Sequence, residues 1–218
     1  MTCLTLRSAA LAAALCMAAG ASQAATMLVN ESFDSIASLA GEGWVMNNLS
    51  TPAGTTDWFQ GDGAIFAAQA GAAESYIAAN FNNAADGGVI RNWLITPEFS
   101  TASDVVVSFY AKADIFAPYL DLLAYGVSSS GSSDTSNFSM GTPVVLSGDW
   151  TQYTVNIAAQ GAGTTARFAV RYSGAAELSN YIGVDTFTVS AVPEPASWLM
   201  LGAGMLGLAM RRRAGAAR

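Results

Sequence analysis

The strand pattern of the chain is clearest in residues 150–157, which read WTQYTVNI. Here Tyr153, Val155 and Ile157 alternate with polar residues, and side chains two positions apart point to the same face of a strand. Residues 167–172, which read RFAVRY, alternate in the same way. Both stretches therefore predict half-buried β-strands.

Further strands are predicted outward from these two, and no long helical pattern lies between residues 25 and 191. The predicted strands are at 27–33, 74–81, 92–96, 105–113, 119–128 and 181–190. Turn residues separate them at 60–63, 82–88, 128–136 and 160–165. Many short strands without β-α alternation predict an all-β fold, an antiparallel jelly-roll β-sandwich, flanked by an N-terminal signal helix and a C-terminal apolar helix.

The composition limits both the class of protein and its chemistry. The chain has 218 residues, of which 52% are hydrophobic and 11% charged, and its mean hydropathy is +0.34. This length suits one domain, and the chain is too apolar to be disordered. It contains no histidine, which excludes Ser-His-Asp and Cys-His catalysis and every metal site with an imidazole ligand.

Residues 1–24 have the organisation of a secretory signal peptide. Arg7 precedes an apolar stretch at 9–21, and small residues lead to the expected cleavage after Ala24. Both cysteines, Cys3 and Cys16, lie in this segment. The exported chain is therefore predicted to have no disulfide, no thiolate metal site and no cysteine nucleophile.

The last segment, residues 192–218, has three parts in a fixed order. They are Pro193, Glu194 and Pro195, then an uncharged stretch at 198–210, then Arg211, Arg212 and Arg213. As a helix the uncharged stretch would be roughly 20 Å long, shorter than the ~30 Å hydrocarbon core of a bilayer. The arginines would hold the C-terminus in the cytoplasm.

This order resembles the PEP-CTERM sorting signal of Gram-negative bacteria. The resemblance implies transient anchoring in the inner membrane, cleavage by an exosortase-type sorting enzyme, and transfer to the cell surface or the exopolysaccharide matrix. A simple tail anchor is the alternative interpretation.

The segment between the two ends, residues 25–191, is expected to be one domain and is strongly acidic. Residues 25–192 contain four basic and fifteen acidic side chains, which gives a net charge of −11. Such a surface repels nucleic acid and anionic lipid, and so we expect no nucleic-acid partner. Cations and neutral glycans fit the charge better.

The same segment resembles the choice-of-anchor J family, which is related to cleaved-adhesin and carbohydrate-binding jelly-roll modules. The motifs are Asn30-Glu31-Ser32-Phe33-Asp34, Gly43-Trp44, Asp57-Trp58, Ser75-Tyr76-Ile77 with Asn80, residues 92–97, Ser108-Phe109, Trp150 and residues 181–187. The resemblance covers nearly all of the segment. It implies a non-catalytic β-sandwich displayed at the cell surface.

Two acidic residues occupy apolar faces of the first and last predicted strands. Glu31 shares a face with Val29, and Asp185 shares a face with Phe187. A buried carboxylate needs a cation, an arginine or a set of backbone donors. One hypothesis is a structural Ca²⁺ held by Glu31 and Asp185, as the related modules imply, with Asp34 or backbone carbonyls completing the shell. The alternatives are solvated strand ends, or pairing with Arg167 or Arg171.

Aromatic side chains in predicted loops are the candidates for glycan binding, because sugar rings stack on aromatic faces. Trp58 and Phe59 precede the turn at 60–63, and Tyr119 follows Pro118. The alternative is that these side chains form small cores under their loops. By contrast, Trp44, Trp93 and Trp150 match family positions and are predicted to be core residues.

The sequence thus predicts an exported, non-catalytic module for adhesion, glycan binding or matrix structure, with extracellular polysaccharide as its partner. A secreted polysaccharide-active enzyme is the rival, because glycosidases need only a pair of carboxylates. Spacing in the sequence does not show whether any two of the fifteen acids face each other.

Overall fold

The computed structural model describes residues 25–192 and 204–205. Residues Thr26–Val192 form one compact unit with its own hydrophobic core. The signal peptide and the sorting residues Pro193, Glu194, Pro195, Arg211, Arg212 and Arg213 lie outside the described residues. Of the predicted C-terminal helix only Gly204 and Met205 are described, and both are helical.

Fourteen strands account for the fold of the compact unit. They are β1 Thr26–Glu31, β2 Val45–Asn48, β3 Thr51–Ala53, β4 Phe59–Gln60, β5 Ile77–Asn80, β6 Ala84–Ile95, β7 Phe99–Ser100, β8 Val105–Ala113, β9 Leu122–Ser128, β10 Ser139–Met140, β11 Val144–Val145, β12 Thr151–Ile157, β13 Thr165–Ala175 and β14 Tyr181–Ala191. Short 3₁₀ helices lie at Ile36–Ser38, Phe81–Asn83, Thr135–Asn137 and Ala176–Leu178.

The strands form two antiparallel sheets, which confirms the predicted all-β sandwich. The six-stranded sheet has the order β12-β8-β14-β5-β4, with β1 also paired to β14. The eight-stranded sheet has the order β10-β9-β13-β6-β2, with β11, β3 and β7 on its edges and ends. The first and last strands lie side by side, as the calcium hypothesis requires.

The main core lies between the sheets and is built on aromatic rings from both. Phe109 of β8 and Phe187 of β14 stack with centroids 5.6 Å apart, and Phe168 of β13 lies 6.0 Å from each. All three are buried. Their burial follows from the period-two alternation of these strands, because each alternate side chain faces the opposite sheet.

The outer face of each sheet carries a smaller apolar cluster. On the six-stranded sheet, Phe66 and Tyr76 from the segment between β4 and β5 pack with Tyr181, and Trp150 covers them. On the eight-stranded sheet, Trp93 packs against Phe138. These clusters bury surface that a simple sandwich would leave exposed.

Two predictions about local structure differ from the structure. Residues 82–88 were expected to be a turn, but β6 begins at Ala84 and continues through Gly87 and Gly88. Glycine fits there because Gly87 has a φ of +69° and the pairing of β3 with β6 shifts its register. Trp150 is only half-buried, whereas Trp44 and Trp93 are core residues as predicted.

Candidate functional site

Asp185, the first calcium candidate, is fully buried in β14 and has backbone donors as its partners. Its Oδ2 accepts hydrogen bonds from the N–H groups of Gln69 at 2.8 Å and Ala70 at 3.1 Å, and its Oδ1 accepts one from Thr186 at 2.6 Å. Burial raises the pKa of the Asp185 carboxyl, and these hydrogen bonds partly oppose that shift. The carboxylate thereby fastens the segment between β4 and β5 to β14.

Glu31 and Asp34 lie at and just after the end of β1. The Oε1 of Glu31 accepts a hydrogen bond from the Phe33 N–H at 2.6 Å. Burial, together with the nearby carboxyls of Glu42 and Asp34, raises the pKa of Glu31. Asp34 is exposed, and hydrogen bonds from the hydroxyls of Ser75 and Ser32 lower its pKa.

These three acids do not form a three-carboxylate cluster. Within residues 25–192 and 204–205, no three Asp, Glu, His or Cys side chains are grouped so that they could hold a metal. A Ca²⁺ site would therefore need Glu31 and Asp185 with backbone carbonyls, and calcium binding stays a prediction. Asp34 stays a predicted ligand in the same sense.

The alternative of a buried ion pair is wrong for both arginines that it named. Arg167 donates to the carbonyl oxygens of Gly131, Gly43 and Thr96 at 2.9, 3.1 and 2.7 Å. Arg171 donates its Nε–H to the hydroxyl of Ser173 at 3.0 Å. The charge of Asp185 is instead accommodated by peptide N–H groups, one of the three solutions that burial of a carboxylate allows.

Two of the three aromatic candidates for glycan binding, Trp58 and Phe59, are not exposed on loops as predicted. Trp58 is only 4% exposed and belongs to the main core, so its prediction as an exposed loop residue is wrong. Phe59 is half-buried and packs edge-on against Tyr181, with ring centroids 5.9 Å apart. The reason is that Phe59–Gln60 forms β4, which pairs with β5.

Tyr119, the third candidate, lines an open groove of about 410 Å³ at one end of the sandwich. The groove is formed by three segments that are distant in sequence, and its other lining residues are Phe81, Ala84, Asp86, Gly87, Ala176, Glu177, Ser179 and Asn180. The Tyr119 ring stacks on Phe116, with centroids 6.1 Å apart. The prediction thus named one residue of the groove.

The segments that form the groove carry exposed apolar side chains, of which Phe81 lines the groove and the others are close to lining residues in the sequence. Phe81 is 44% exposed, Phe116 66%, Leu120 60% and Leu178 53%. The Leu120 N–H donates to the Leu178 carbonyl at 2.8 Å, which joins two of the segments. Exposed aromatic and aliphatic groups around a concave surface are typical of a binding site.

Tyr172 and Asp121 form a buried hydrogen-bonded pair that holds Asn180, a residue of the groove wall. The hydroxyl of Tyr172 donates to Oδ1 of Asp121, and the Asn180 N–H donates to the same oxygen at 2.8 Å. The Asn180 side chain donates to the Asp114 carbonyl at 2.8 Å. Desolvation raises the pKa of the Asp121 carboxyl. The wall that carries Asn180 is therefore held from two sides.

The other residues of the groove were not predicted from the sequence, because the segments that carry them meet only in the fold. The large apolar residues Phe81 and Leu120 gave no signal either, because both lay in predicted strands, at 74–81 and 119–128. The carboxylates Asp86 and Glu177 carried no signal among fifteen acids.

The comparison with family models concerns the C-terminal end of the chain. Residues 191–213 match the PEP-CTERM protein-sorting motif. This PEP-CTERM segment contains the predicted sorting residues and ends with the three arginines. Within the described residues, no helix is long and apolar enough to cross a membrane.

Comparisons of the fold find cleaved-adhesin domains and carbohydrate-binding modules. The K3 cleaved adhesin domain of Lys-gingipain from Porphyromonas gingivalis W83 is 21% identical with a TM-score of 0.54, covering 78% of this chain and 100% of that domain. The K1 domain of the same protein is 20% identical with a TM-score of 0.52, at 76% and 98% coverage. TmCBM61, in complex with beta-1,4-galactotriose, is 14% identical with a TM-score of 0.46, at 74% and 99% coverage. No curated protein matches the sequence.

Proposed function

We propose that the chain is exported, is sorted through its PEP-CTERM segment by an exosortase-type enzyme, and displays its β-sandwich at the surface or in the extracellular matrix of a Gram-negative bacterium. The inner membrane holds it only until the segment is cleaved. The match of residues 191–213 supports sorting, and the similarity to adhesin domains supports a display module.

The displayed domain binds extracellular polysaccharide in the groove beside Tyr119 and performs no catalysis. The observation that carries this proposal is the groove itself, which combines two aromatic rings with carboxylate and amide groups. Aromatic faces stack on sugar rings, while carboxylate and amide oxygens accept hydrogen bonds from sugar hydroxyls. Its fixed wall lowers the entropic cost of binding.

A panel of neutral and charged polysaccharides tests the proposal on the 25–192 fragment, which contains the whole compact unit. Binding and release of reducing ends are measured on the same samples. Saturable binding without release of reducing ends is the expected result. Turnover would assign the rival function, a polysaccharide-active enzyme that uses paired carboxylates. Neither binding nor turnover across the panel would leave a structural matrix protein and overturn the proposal.

A further inference from the structure

A pair of arginines lies on the outer face of the eight-stranded sheet. In the antiparallel pairing of β6 with β13, Arg91 lies opposite Ser173, and Trp93 lies opposite Arg171. The inward neighbours Asn92 and Tyr172 are fully buried. Because successive side chains alternate between faces, Arg91 and Arg171 are diagonal neighbours on the same outer face.

The guanidinium of Arg171 is held in place but keeps free donors. It lies 5.1 Å above the centroid of the Trp93 ring, and its Nε–H donates to Ser173. Within residues 25–192 its two terminal nitrogens make no hydrogen bond to the protein. Trp93 is in turn fixed by Phe138, at 5.8 Å between centroids. The planar donor fork of the guanidinium is thus preorganised at a half-buried position.

The placement of two positive charges side by side is unfavourable for folding alone. Burial lowers the pKa of Arg171, and the neighbouring charge of Arg91 lowers it further. The domain has only four basic residues. The other two have separate roles, since Arg167 binds three backbone carbonyls and Lys112 lies 4.8 Å from the centroid of the Phe66 ring on the other sheet. Within residues 25–192 no carboxylate pairs with either arginine, and such a like-charged pair is a candidate binding site.

We propose that Arg91 and Arg171 form a second site, which binds an oxyanion such as the carboxylate or sulfate substituent of a polysaccharide. Two guanidinium groups on one face offer several N–H donors to the oxygen atoms of such a group, and charge-assisted hydrogen bonds of this kind are strong. This local charge differs from the net charge of −11, which favours neutral ligands over the rest of the surface.

The inference that the oxyanion belongs to a saccharide rests on the proposed function and on the position of the arginines. β6 runs from Gly87, which lines the groove, to Arg91. At about 3.3 Å per residue, these two positions are roughly 13 Å apart along the strand. Val89, which lies between them, is 51% exposed. An extended polysaccharide that runs from the groove along β6 is thus long enough to reach the arginine pair.

The test uses the 25–192 fragment and three probes at low ionic strength, about 20 mM, where charge interactions are least screened. The probes are trigalacturonic acid, the same trisaccharide with its carboxyl groups reduced to alcohols, and sodium sulfate as a free inorganic anion. Binding is followed by NMR titration. We expect trigalacturonic acid to bind saturably and about tenfold more tightly than the reduced trisaccharide.

Charge-neutralising variants assign the binding to the arginines. Arg91→Gln and Arg171→Gln should each weaken binding of trigalacturonic acid by about tenfold or more, as expected for loss of a charge-assisted contact. The matched control is Lys112→Gln, which changes the net charge equally on the other sheet and should leave binding unchanged. Arg91 is exposed, so Arg91→Gln should fold normally even if Arg171→Gln does not.

Several results would overturn the second site. They are no saturable binding of trigalacturonic acid, equal binding of the reduced trisaccharide, or equal losses in Lys112→Gln and the arginine variants. Saturable binding of sulfate without binding of trigalacturonic acid would show a site for free anions. It would overturn the inference that the oxyanion belongs to a saccharide. Loss of trigalacturonic acid binding in Tyr119→Ala together with unchanged binding in both arginine variants would place the anion in the groove instead. Failure at the arginines leaves neutral-glycan binding at Tyr119 as a separate question.

Discussion

Asp121 shows how a single buried carboxyl links the stability of the domain to the groove. It is 2% exposed and accepts hydrogen bonds from Tyr172 and Asn180. Burial raises its pKa above the ordinary value of 3.8, and burial also raises the pKa of Asp185 and Glu31. Each of these groups binds a proton more readily in the folded state than in the unfolded state.

This asymmetry predicts higher thermal stability at mildly acidic pH. Between its unfolded and folded pKa an acid of this kind carries more protons when folded, so stability falls as pH rises through that window and is level above it. Acidification from neutral pH towards the ordinary pKa of a carboxyl should therefore raise the Tm measured by calorimetry, and relief of repulsion among the acids adds to this.

Asp121→Asn isolates the part of this effect that belongs to the groove wall. The amide oxygen of Asn can still accept both hydrogen bonds, so the variant should fold and show a smaller change of Tm with pH. Asp134→Asn is the matched control, because Asp134 is exposed and its pKa is lowered by hydrogen bonds from Ser136. A Tm that falls on acidification from neutral pH in the wild type would contradict the prediction.

The sequence predicted the burial of individual residues only in part and did not predict their hydrogen-bond partners. The burial of Asp185 was predicted from its apolar neighbours Phe187 and Val189, because strand alternation is a local property. Its partners were not predictable, since Gln69 and Ala70 lie more than a hundred positions away in the chain. Trp58 was misplaced for the same reason, because nothing in its immediate sequence shows that the residue just before β4 packs into the main core.

At the scale of elements, the pairing of β1 with β14 is where the calcium prediction is tested. A bound ion that prefers the folded state raises stability by about 2.7 kcal/mol at a concentration 100 times its Kd. We expect the Tm of the 25–192 fragment to be higher in Ca²⁺ than in EDTA, and Asp185→Asn to abolish the difference. Mg²⁺ at the same concentration is the control. An unchanged Tm would contradict a Ca²⁺ site at Glu31 and Asp185.

The PEP-CTERM segment makes a separate prediction about sorting. Replacing Glu194 with Gln should leave a full-length precursor retained in the membrane fraction, because the central residue of the recognised tripeptide is lost. The matched control is Glu177→Gln, a change of the same kind in the displayed domain. Immunoblots of fractionated cells measure this. Normal processing of Glu194→Gln would count against recognition through this tripeptide.

The elements themselves were predicted best where alternation was regular. The bounds of β8 were predicted correctly, and those of β12 to within one residue. Both strands are rich in β-branched and aromatic residues and contain no glycine. The start of β6 was missed because Gly87 and Gly88 look like a turn. The short strands β10 and β11 carry too few residues for a pattern and are defined by their pairing with β9.

At the scale of the whole molecule, the acidic net charge and the groove together define the expected ligands. The net charge of −11 over residues 25–192 disfavours polyanions at long range. The fold class followed from the strand pattern, whereas the groove did not, because its three segments converge only after the two sheets have packed. Of the residues that line the groove, only Tyr119 was predicted from the sequence.

The most direct test of polysaccharide binding in the groove is the affinity of Tyr119→Ala for the best neutral polysaccharide of the panel. Loss of a stacked aromatic ring should weaken binding by about tenfold or more. Tyr110→Ala is the matched control, because Tyr110 is a half-buried tyrosine of β8 that lies outside the groove. Weakened binding in Tyr119→Ala with unchanged binding in Tyr110→Ala is the predicted result, and equal affinity of Tyr119→Ala and the wild type would contradict it.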